Sequence, residues 1–300
     1  MKVCVTGASG FVGQNLTKYL NKEGFQVEAI SLRNHWELPN DADAIIHLAG
    51  IAHDTSKTSS ESEYFTVNRD LTAKLFDEFL KNDIKKFFYF SSVKATADTI
   101  EGFLDENHHS NPITPYGKSK LEAENYLLKQ KLADHKRLFI IRPCMIHGPG
   151  NKGNLNLLSK VVEKGVPWPL AAFENNRSYL SIDNLNFLIK KMLLEPNLQS
   201  GIYNFADDDA VSTNQLIKII ADANYKNTRL IFISPKFIKL LAAAGDFIKF
   251  PLNSERLKKL TESYLVSNQK IKNALRIKTL PLSAQEGLVK TIKSFKKSQQ

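Results

Sequence analysis

One serine, one tyrosine and one lysine could carry out acid–base chemistry in this sequence. Tyr116 and Lys120 are four residues apart in a helical pattern that begins near Pro115, so both lie on one helix face. A tyrosine has a pKa of ~10, and lowering it by ~3–4 units takes about 4–5 kcal/mol. A lysine ammonium ~6 Å away supplies roughly 3 kcal/mol at an effective dielectric of ~20. Tyr116 can therefore carry a proton near neutral pH if a second cation lies beside it.

The third residue, Ser92, ends the apolar run from Lys86, which is typical of a buried strand. Tyr-x-x-x-Lys alone is a weak signal, since a chain with nine tyrosines and this much lysine contains roughly one match by chance. Here the match opens a helix and follows a strand that ends in hydroxyls, and ligands of open α/β sheets lie at the carboxyl ends of the strands. We predict that Ser92, Tyr116 and Lys120 are catalytic, with the Ser92 hydroxyl bonded to the reacting oxygen.

The start of the chain predicts the source of the second cation. Val3 to Val5 form a short apolar strand, and three glycines then precede a helical pattern. Strand, glycine turn and helix in this order bind a dinucleotide, because the helix N-terminus offers free N–H groups to the pyrophosphate. Oxidised nicotinamide would be the second cation. The cofactor-binding residues predicted here are Gly7, Ser9, Gly10, Phe11, Val12 and Gly13.

Two residues after the second strand bear on which dinucleotide binds. A dinucleotide site usually has an acid roughly 20 residues past the glycines, where it holds the ribose 2′-hydroxyl. This chain has Ser31 and Arg33 there, and a hydroxyl and a guanidinium suit a 2′-phosphate. We predict NAD or NADP as cofactor and slightly favour NADP. An acidic side chain from elsewhere in the chain that held the ribose 2′-hydroxyl would instead favour NAD.

Further strand patterns at 43–50, 137–141 and 201–205 alternate with helical ones, which predicts an α/β fold. The fold class expected is a Rossmann doubly wound parallel sheet with a smaller, mostly helical C-terminal substrate-binding part. Because the spacing between strands 2 and 3 is short, the crossover helix there should be short or missing. We place the dinucleotide-binding domain at 1–150, with 178–205 returning to it, and the substrate-binding domain at 151–177 and 206–300.

Composition narrows the class of protein. The chain has 300 residues, 42% hydrophobic and 24% charged, as expected of a soluble globule, and it enters a strand at once, so we expect no signal peptide. Cys4 and Cys144 lie in apolar runs, so we expect buried free thiols, a cytoplasmic location and no metal site. The run at 230–250 is apolar but interrupted by charges, which predicts a packed amphipathic helix rather than a membrane span.

The net charge of +10 is uneven, because residues 251–300 hold 11 Lys/Arg and 3 Asp/Glu. No aromatic-interleaved basic motif accompanies this charge, so we expect no nucleic-acid partner. A solvated helical face explains it most simply, and peripheral contact with an anionic membrane is the alternative.

Taken together, these motifs resemble the extended short-chain dehydrogenases/reductases of the nucleotide-sugar epimerase/dehydratase family. The matching stretches are Thr6–Gly13, His47–Gly50, Asn68, Ser91–Ser92, Tyr116–Lys120, Arg142–Pro143 and Gly148–Gly150. The segment from Gly148 to Asn156, with Pro167 to Leu170 and Asn176 to Ser178, resembles the branch acting on UDP-N-acetylhexosamines in surface polysaccharide synthesis.

The resemblance implies further site residues. On the cofactor it adds Leu48, Ala49, Gly50, Asn68, Tyr116, Lys120 and Pro143. On a UDP-sugar substrate it implies His53, Ser92, Asn154, Leu155, Asn156, Trp168, Pro169, Arg177 and Arg256. Arg177 is expected to meet the diphosphate, with Arg256 as a second candidate, since an arginine fork suits phosphate.

Two departures from the family pattern narrow the reaction. The family's 4,6-dehydratases carry an acidic pair where this chain has Val93 and Lys94, so dehydration is not expected. Many epimerases carry a tyrosine–glycine pair where this chain has Thr96 and Ala97, which leaves the catalytic hydroxyl open between Ser91 and Ser92. We favour Ser92, because it stands at the position of the dehydratases' threonine.

Three functions remain as hypotheses. The first is an NAD(P)-dependent C4 epimerase of a UDP-linked hexose or N-acetylhexosamine, in the manner of UDP-glucose and UDP-GlcNAc 4-epimerases. The second is an NADPH-dependent reductase of a UDP-4-keto-6-deoxy sugar. The third, from another class, is a non-catalytic dinucleotide-binding regulator, which has no need of Tyr116 and Lys120. A homodimer is compatible with all three.

Overall fold

The computed structural model describes residues 1–51, 60–151, 154–247 and 252–297. The strands are β1 (Lys2–Thr6), β2 (Gln26–Ile30), β3 (Ala44–His47), β4 (Lys86–Phe90), β5 (Phe103–Leu104), β6 (Arg137–Pro143), β7 (Met145–His147), β8 (Arg177–Ser181), β9 (Gly201–Phe205), β10 (Ala210–Val211) and β11 (Leu265–Val266). The helices are α1 (Phe11–Lys22), α2 (Glu61–Phe65), α3 (Leu71–Lys81), α4 (Pro115–Lys129), α5 (Asn154–Glu163), α6 (Ile182–Leu194), α7 (Thr213–Ala223), α8 (Pro235–Phe247), α9 (Ser254–Thr261), α10 (Gln269–Leu275) and α11 (Ala284–Lys297). A π-helical segment, Thr66–Asp70, joins α2 to α3, and a 3₁₀ turn, Val93–Ala95, follows β4.

The main sheet has six parallel strands in the order β2-β1-β3-β4-β6-β9. The chain runs outward in one direction from β1 to β2 and then crosses back to β3, so the strand order reverses beside β1. Ligands of doubly wound sheets bind at the carboxyl ends of the strands at such a reversal. The predicted Rossmann-type α/β fold is confirmed.

Alternating residues of each strand pack on opposite faces of this sheet, as period-2 geometry requires. On β4, Phe88 and Phe90 join a core with α1 and α6, whereas Phe87 and Tyr89 join a core with α3 and α4. Because helices cover both faces of the inner strands, β1, β3, β4 and β6 contain nearly continuous apolar runs, which makes them recognisable in the sequence. The predicted lack of a crossover helix between β2 and β3 is also confirmed, since residues 31–43 contain none.

The smaller part of the molecule has its own core. It contains a three-stranded sheet of order β10-β8-β7 and a two-stranded pair of β11 with β5. Side chains from α5, α7, α8 and α11 pack together in a second apolar cluster, which includes Trp168, Leu216, Ile217 and Leu288. The division into a cofactor-binding and a substrate-binding domain stays a prediction.

The segment 178–205 contributes to both parts. β8 lies in the three-stranded sheet, whereas α6 packs against α1 on the main sheet and β9 forms that sheet's edge. The two cysteines are free and buried, as predicted, and burial raises the pKa of the Cys4 thiol to about 12. The predicted helix in 230–250 is present as α8, although only one side of it is packed. Among the described residues, every helix is too short or too polar to cross a membrane.

Candidate active site

The glycine loop after β1 is packed so closely that side chains are excluded from it. Gly7 has a φ of +69°, and a Cβ there would lie 2.6 Å from the Ala49 nitrogen. A Cβ on Gly13 would lie 2.3 Å from the Gly7 oxygen, so α1 rests directly on the loop. The N-cap of α1, Gly10, has no side-chain capping bond, and the first turn holds no acid. The exposed N–H groups and the helix dipole therefore fit the diphosphate of a dinucleotide.

The other predicted residues of this loop lie around the same helix start. Phe11 and Val12 are partly buried in the first turn of α1, and Ser9 is exposed just before it. The main-chain oxygen of Ser9 accepts a hydrogen bond of 2.8 Å from Gln14 Nε2, which fixes the loop to the helix.

Ser31 and Arg33 follow the carboxyl end of β2, beside the glycine loop that follows β1. The β1–β2 register pairs Thr6 with Ile30, so the residues that follow each strand leave the same edge. Both predicted side chains are exposed. Arg33 makes no ion pair with any residue that the structure describes, so its charge is available to a ligand at that edge.

The end of β3 and the π-helical segment form the wall of the site next to α4. Ala49 donates its main-chain N–H to Thr6 Oγ1 at 3.2 Å, which ties this wall to the glycine loop. A Cβ on Gly50 would lie 2.8 Å from Asn68 Oδ1 and 3.2 Å from Lys120 Nζ. Gly50 therefore leaves the space in which Asn68 and Lys120 meet, and the structure brings these three predicted residues together.

Asn68 is buried and fully engaged. Its side-chain amide donates to the Ile51 oxygen at 3.1 Å and to Ser119 Oγ at 3.1 Å, and its Oδ1 accepts from the Ile51 N–H at 2.9 Å. The widened π-helical turn presents this side chain toward β3 and α4 at once, and such turns occur often at functional sites.

Ser92, Tyr116 and Lys120 converge at the end of β4. Thr114 caps α4 through its Oγ1, which accepts the Gly117 N–H at 3.3 Å, so Tyr116 lies in the first turn. The Tyr116 phenol is hydrogen-bonded to the Ser92 side chain. One turn later, Lys120 donates from Nζ to the Phe90 oxygen at 2.9 Å.

Burial sets the electrostatics of this cluster. It lowers the pKa of Lys120 to about 8, while the nearby Glu124 carboxylate acts in the opposite direction. Burial also raises the pKa of Tyr116, and the hydrogen bond with Ser92 partly offsets that rise. The chain's own groups thus leave the phenol protonated at neutral pH. A positive charge supplied by a bound group is what would bring its pKa down.

A buried ion pair behind the cluster was missed by the sequence reasoning. Arg142 on β6 donates from Nε to Glu124 Oε1 at 3.0 Å, and its Nη2 also bonds the same carboxylate. Ser91 donates its hydroxyl to Glu124. Ser91 is thereby held away from Tyr116, and Ser92 is the hydroxyl that faces the phenol. The available signal was a glutamate four residues after Lys120 on a helix face that is otherwise buried.

His47 forms a second buried polar link that the motif did not reveal. Its Nδ1 lies 2.7 Å from Thr6 Oγ1, and its Nε2 lies 2.9 Å from Thr72 Oγ1. Thr72 in turn donates to the Asn68 oxygen at 2.8 Å. Burial lowers the pKa of His47 to about 3, so the ring is neutral and its role is to join β1 and β3 to the helix that carries Asn68.

On the predicted substrate side, several side chains are enclosed by the protein. Leu155 and Trp168 belong to the core of the smaller part, and Trp168 donates from Nε1 to Asn214 Oδ1 at 3.1 Å. Asn156 donates to the Asn151 oxygen at 2.6 Å, and Pro169 is partly exposed. Pro143, predicted on the cofactor, ends β6 and is buried. Leu155 and Trp168 are thus 5% and 7% exposed in this structure.

Arg177 lies between the smaller part and the end of β4. It is the first residue of β8, and its Nη1 donates to the Lys259 oxygen. The pKa of Lys94 is lowered by burial first, and the charge of Arg177 contributes, so the two cations are near each other. Lys94 is only two residues past Ser92, which places Arg177 on the catalytic side of the molecule.

Three further residues, Arg256, His53 and Asn154, are predicted to bind the substrate. Arg256 lies on α9 with an exposed side chain, and its main-chain N–H donates to the capping side chain of Asn253 at 2.9 Å. His53 lies outside the described residues, and Asn154 is described only as the first residue of α5.

Comparisons with known proteins agree with this geometry. The model of the NAD dependent epimerase/dehydratase family matches residues 3–206. A UDP-glucose 4-epimerase from Vibrio cholerae is 30% identical over 98% of this chain and 95% of its own. An N-acetyl-alpha-D-glucosaminyl-diphospho-ditrans,octacis-undecaprenol 4-epimerase from Escherichia coli O157:H7 is 27% identical over 97% and 94%.

Solved structures show the same fold at lower identity. MoeE5 in complex with UDP-glucose and NAD has a TM-score of 0.77 and 18% identity, with all of both chains covered. RMD from Pseudomonas aeruginosa complexed with NADPH has a TM-score of 0.73 and 19% identity, with 99% of each chain covered. The chain belongs to the NAD-dependent epimerase/dehydratase family of sugar-nucleotide enzymes, within the extended short-chain dehydrogenases/reductases.

Proposed function

We propose that this protein is an NAD(P)-dependent 4-epimerase of a UDP-linked hexose or N-acetylhexosamine. The observation that carries the proposal is the hydrogen-bonded pair of Ser92 and Tyr116, with Lys120 one helical turn away, beside the glycine loop. A non-catalytic dinucleotide-binding protein would need the loop but not this cluster. Two relatives that match nearly the whole chain are named as 4-epimerases, which supports epimerisation over dehydration.

The residues divide the acid–base work. Tyr116 Oη takes the proton of the sugar 4-hydroxyl and later returns it, while the Ser92 hydroxyl hydrogen-bonds the reacting oxygen. Lys120 stabilises the phenolate as an adjacent cation. A bound dinucleotide would supply the redox half of the chemistry, namely a nicotinamide able to accept a hydride from C4 and to return it. Epimerisation would consume no cofactor, because the 4-keto sugar would turn over and take the same hydride back on its opposite face.

Substrate binding is proposed for the smaller part. Arg177 would meet the diphosphate, because a guanidinium pairs well with phosphate and because it lies near Lys94 and the end of β4. The other residues predicted on the substrate stay proposals: His53, Asn154, Leu155, Asn156, Trp168, Pro169 and Arg256.

A second candidate is the reduction of a UDP-4-keto-6-deoxy sugar by NADPH. Ser31 and Arg33 favour it, because they suit a 2′-phosphate and lie exposed at the edge of the sheet beside the glycine loop. In this case the cofactor would be consumed once in each turnover.

One assay separates the two candidates. Purified protein is given UDP-N-acetylglucosamine or UDP-glucose with NAD or NADP, and separately a UDP-4-keto-6-deoxy sugar with NADPH. We expect inversion at C4 with no net change in cofactor absorbance; stoichiometric loss of NADPH on the keto sugar alone would make the protein a reductase.

The catalytic role of Tyr116 is tested by comparing it with a second tyrosine on α4. Tyr116→Phe should lower turnover by about 10²–10⁴-fold, the range typical of a lost general acid–base group. Tyr126→Phe is the matched control, because Tyr126 lies on α4 and its hydroxyl donates to Asp77, away from the cluster, and it should leave turnover unchanged. Equal activity of both variants and wild type would exclude the proposed mechanism.

A further inference from the structure

The solvent-facing side of α8, together with two residues of the segment that precedes it, is an apolar surface that the proposed reaction does not use. We call it the α8 face. Phe232 is 72% exposed, Leu240 is 68% exposed and Phe247 is 93% exposed. The large hydrophobic side chains of this face are Ile231, Phe232, Phe237, Leu240, Leu241 and Phe247.

The helix has two apolar sides, only one of which is covered. Ile238, Ala242 and Gly245 recur at helical spacing and are buried against the rest of the smaller part. Phe237 and Leu240 are exposed on the remaining surface of the same helix. Several large apolar side chains exposed on one side of a helix are typical of a docking site.

The charges of the α8 face point to an anionic partner. Lys236 and Lys239 are exposed between its apolar residues and make no ion pair with any residue in the described ranges. The acid of this helix, Asp246, already accepts a hydrogen bond of 2.6 Å from the Ser254 hydroxyl. Exposed aromatic and aliphatic side chains interleaved with lysines are the composition of helices that lie in a membrane interface.

The α8 face is connected to the substrate side of the proposed site. α8 packs on α9, and the main chain of α9 at Lys259 accepts a hydrogen bond from Arg177. Before the helix, Phe232 pairs with Leu170, next to Pro169. A surface that docked here would therefore lie beside the part of the molecule proposed to bind the substrate.

We propose that the α8 face docks the protein on an anionic lipid bilayer. The apolar side chains would enter the interface while Lys236 and Lys239 contact the headgroups. A second copy of the chain is a poorer occupant, because a twofold contact would bring the lysines of two such faces together. Docking does not depend on which sugar the enzyme converts.

Vesicle co-sedimentation of the full chain tests this directly. The lipids are phosphatidylcholine alone and an equimolar mixture with phosphatidylglycerol. We expect binding to the anionic vesicles and little binding to the neutral ones. Leu240→Gln should weaken binding about tenfold through lost apolar insertion, and Lys239→Gln roughly fivefold through one lost headgroup contact.

The matched controls are Leu194→Gln, an exposed leucine on α6, and Lys18→Gln, an exposed lysine on α1. Both should bind as the wild type does. No binding of the wild type, or an equal loss in the controls, would overturn the proposal. So would a wild-type dimer in sedimentation equilibrium that Leu240→Gln dissociates, since a second copy would then cover the face. Turnover of a soluble UDP-sugar should be unchanged in Leu240→Gln, which separates failure of docking from failure of the proposed function.

Discussion

We call the six-stranded sheet with its helices the cofactor half and the remaining part the substrate half, after the binding proposed for each. In the cofactor half, proposed site residues follow neighbouring strands. In the substrate half, two of them, Trp168 and Arg177, are held by segments that are distant in the sequence. Gly7, Gly50 and Ser92 follow β1, β3 and β4, which lie side by side. Trp168 is bonded to Asn214, and Arg177 to the main chain of Lys259. A parallel sheet brings the carboxyl ends of its strands together independently of loop conformation. In the substrate half, the positions of Trp168 and Arg177 depend on hydrogen bonds between residues that are 46 and 82 positions apart in the sequence.

The ion pairs beside the proposed site residues also differ in burial between the two halves. The cofactor half buries Lys120 and the Glu124–Arg142 pair behind its catalytic cluster. The ion pairs of α9 in the substrate half, such as Lys259–Glu255, are exposed. Buried charges are costly to leave unpaired, while exposed pairs contribute little. Of these two pairs, the buried Glu124–Arg142 pair should therefore be the more sensitive to a change of charge.

The largest expected effect is the loss of the buried ion pair. Arg142→Met leaves the Glu124 carboxylate buried without its partner and should lower the free energy of unfolding by about 3–5 kcal/mol. Lys259→Ala, which breaks an exposed pair of the substrate half, should cost only about 0.5 kcal/mol. Urea unfolding followed by circular dichroism measures both.

The double variant Glu124→Leu/Arg142→Met sharpens this result. Replacing both partners by apolar groups removes the unpaired charge, so most of the lost stability should return. If the double variant is as unstable as Arg142→Met, the cost comes from packing rather than from the buried charge.

The next effect is a dependence of stability on pH that comes from Lys120. Its pKa is about 8 in the folded protein and 10.5 in the unfolded chain, so the unfolded chain binds more protons between those values. The contribution of Lys120 to stability is therefore fully present above pH 10.5 and is lost as the pH falls through 8. The stability of wild type relative to Lys120→Met should rise with pH across this window, by up to about 1.4 kcal/mol per unit.

Unfolding free energies of both proteins at several pH values between 8 and 10.5 measure that difference. Lys259→Met, which changes a 41% exposed lysine of the substrate half, is measured in parallel for comparison. A flat difference for Lys120→Met would mean that the Lys120 ammonium is solvated in the folded protein.

The same comparison explains what the sequence could predict. The strands of the main sheet, the glycine loop and the Tyr116–Lys120 spacing are local patterns, and β1, β4 and α4 lie where those patterns place them. The choice between Ser91 and Ser92 was not local, because it depends on Glu124 and Arg142, which come from other elements. The resemblance places Trp168 at the substrate, and its hydrogen bond to Asn214 could not be predicted from that motif because Asn214 comes from α7. Contacts between segments that are distant in the sequence produce no regular spacing of residues, so a single sequence does not predict them.

A pair of glycines tests the packing of the two halves. Gly7 and Gly165 have nearly equal φ values, +69° and +71°, but a Cβ on Gly165 would meet nothing within 4 Å. Gly165→Ala should therefore cost only the backbone strain, about 1–2 kcal/mol. Gly7→Ala adds a clash with the Ala49 nitrogen, which should cost roughly 1–3 kcal/mol more. Urea unfolding gives the costs, and calorimetry with NAD and NADP should show weaker binding in Gly7→Ala alone. Equal losses of stability in the two variants would show that the glycine loop shifts enough to accommodate the Cβ of Gly7→Ala without a clash.

The smallest expected effect concerns two exposed arginines, one in each half. Arg33 lies at the sheet edge beside the glycine loop, and Arg229 lies on the surface of the substrate half. If Arg33 contacts a 2′-phosphate, Arg33→Ser should weaken NADP binding by about 1.5 kcal/mol, roughly tenfold, and leave NAD binding unchanged. Arg229→Ser should change neither affinity. Calorimetric titration of each variant with both dinucleotides gives the four constants. An equal loss for NAD and NADP would assign Arg33 to the diphosphate or the adenine instead, and the preference for NADP would then rest on Ser31 alone.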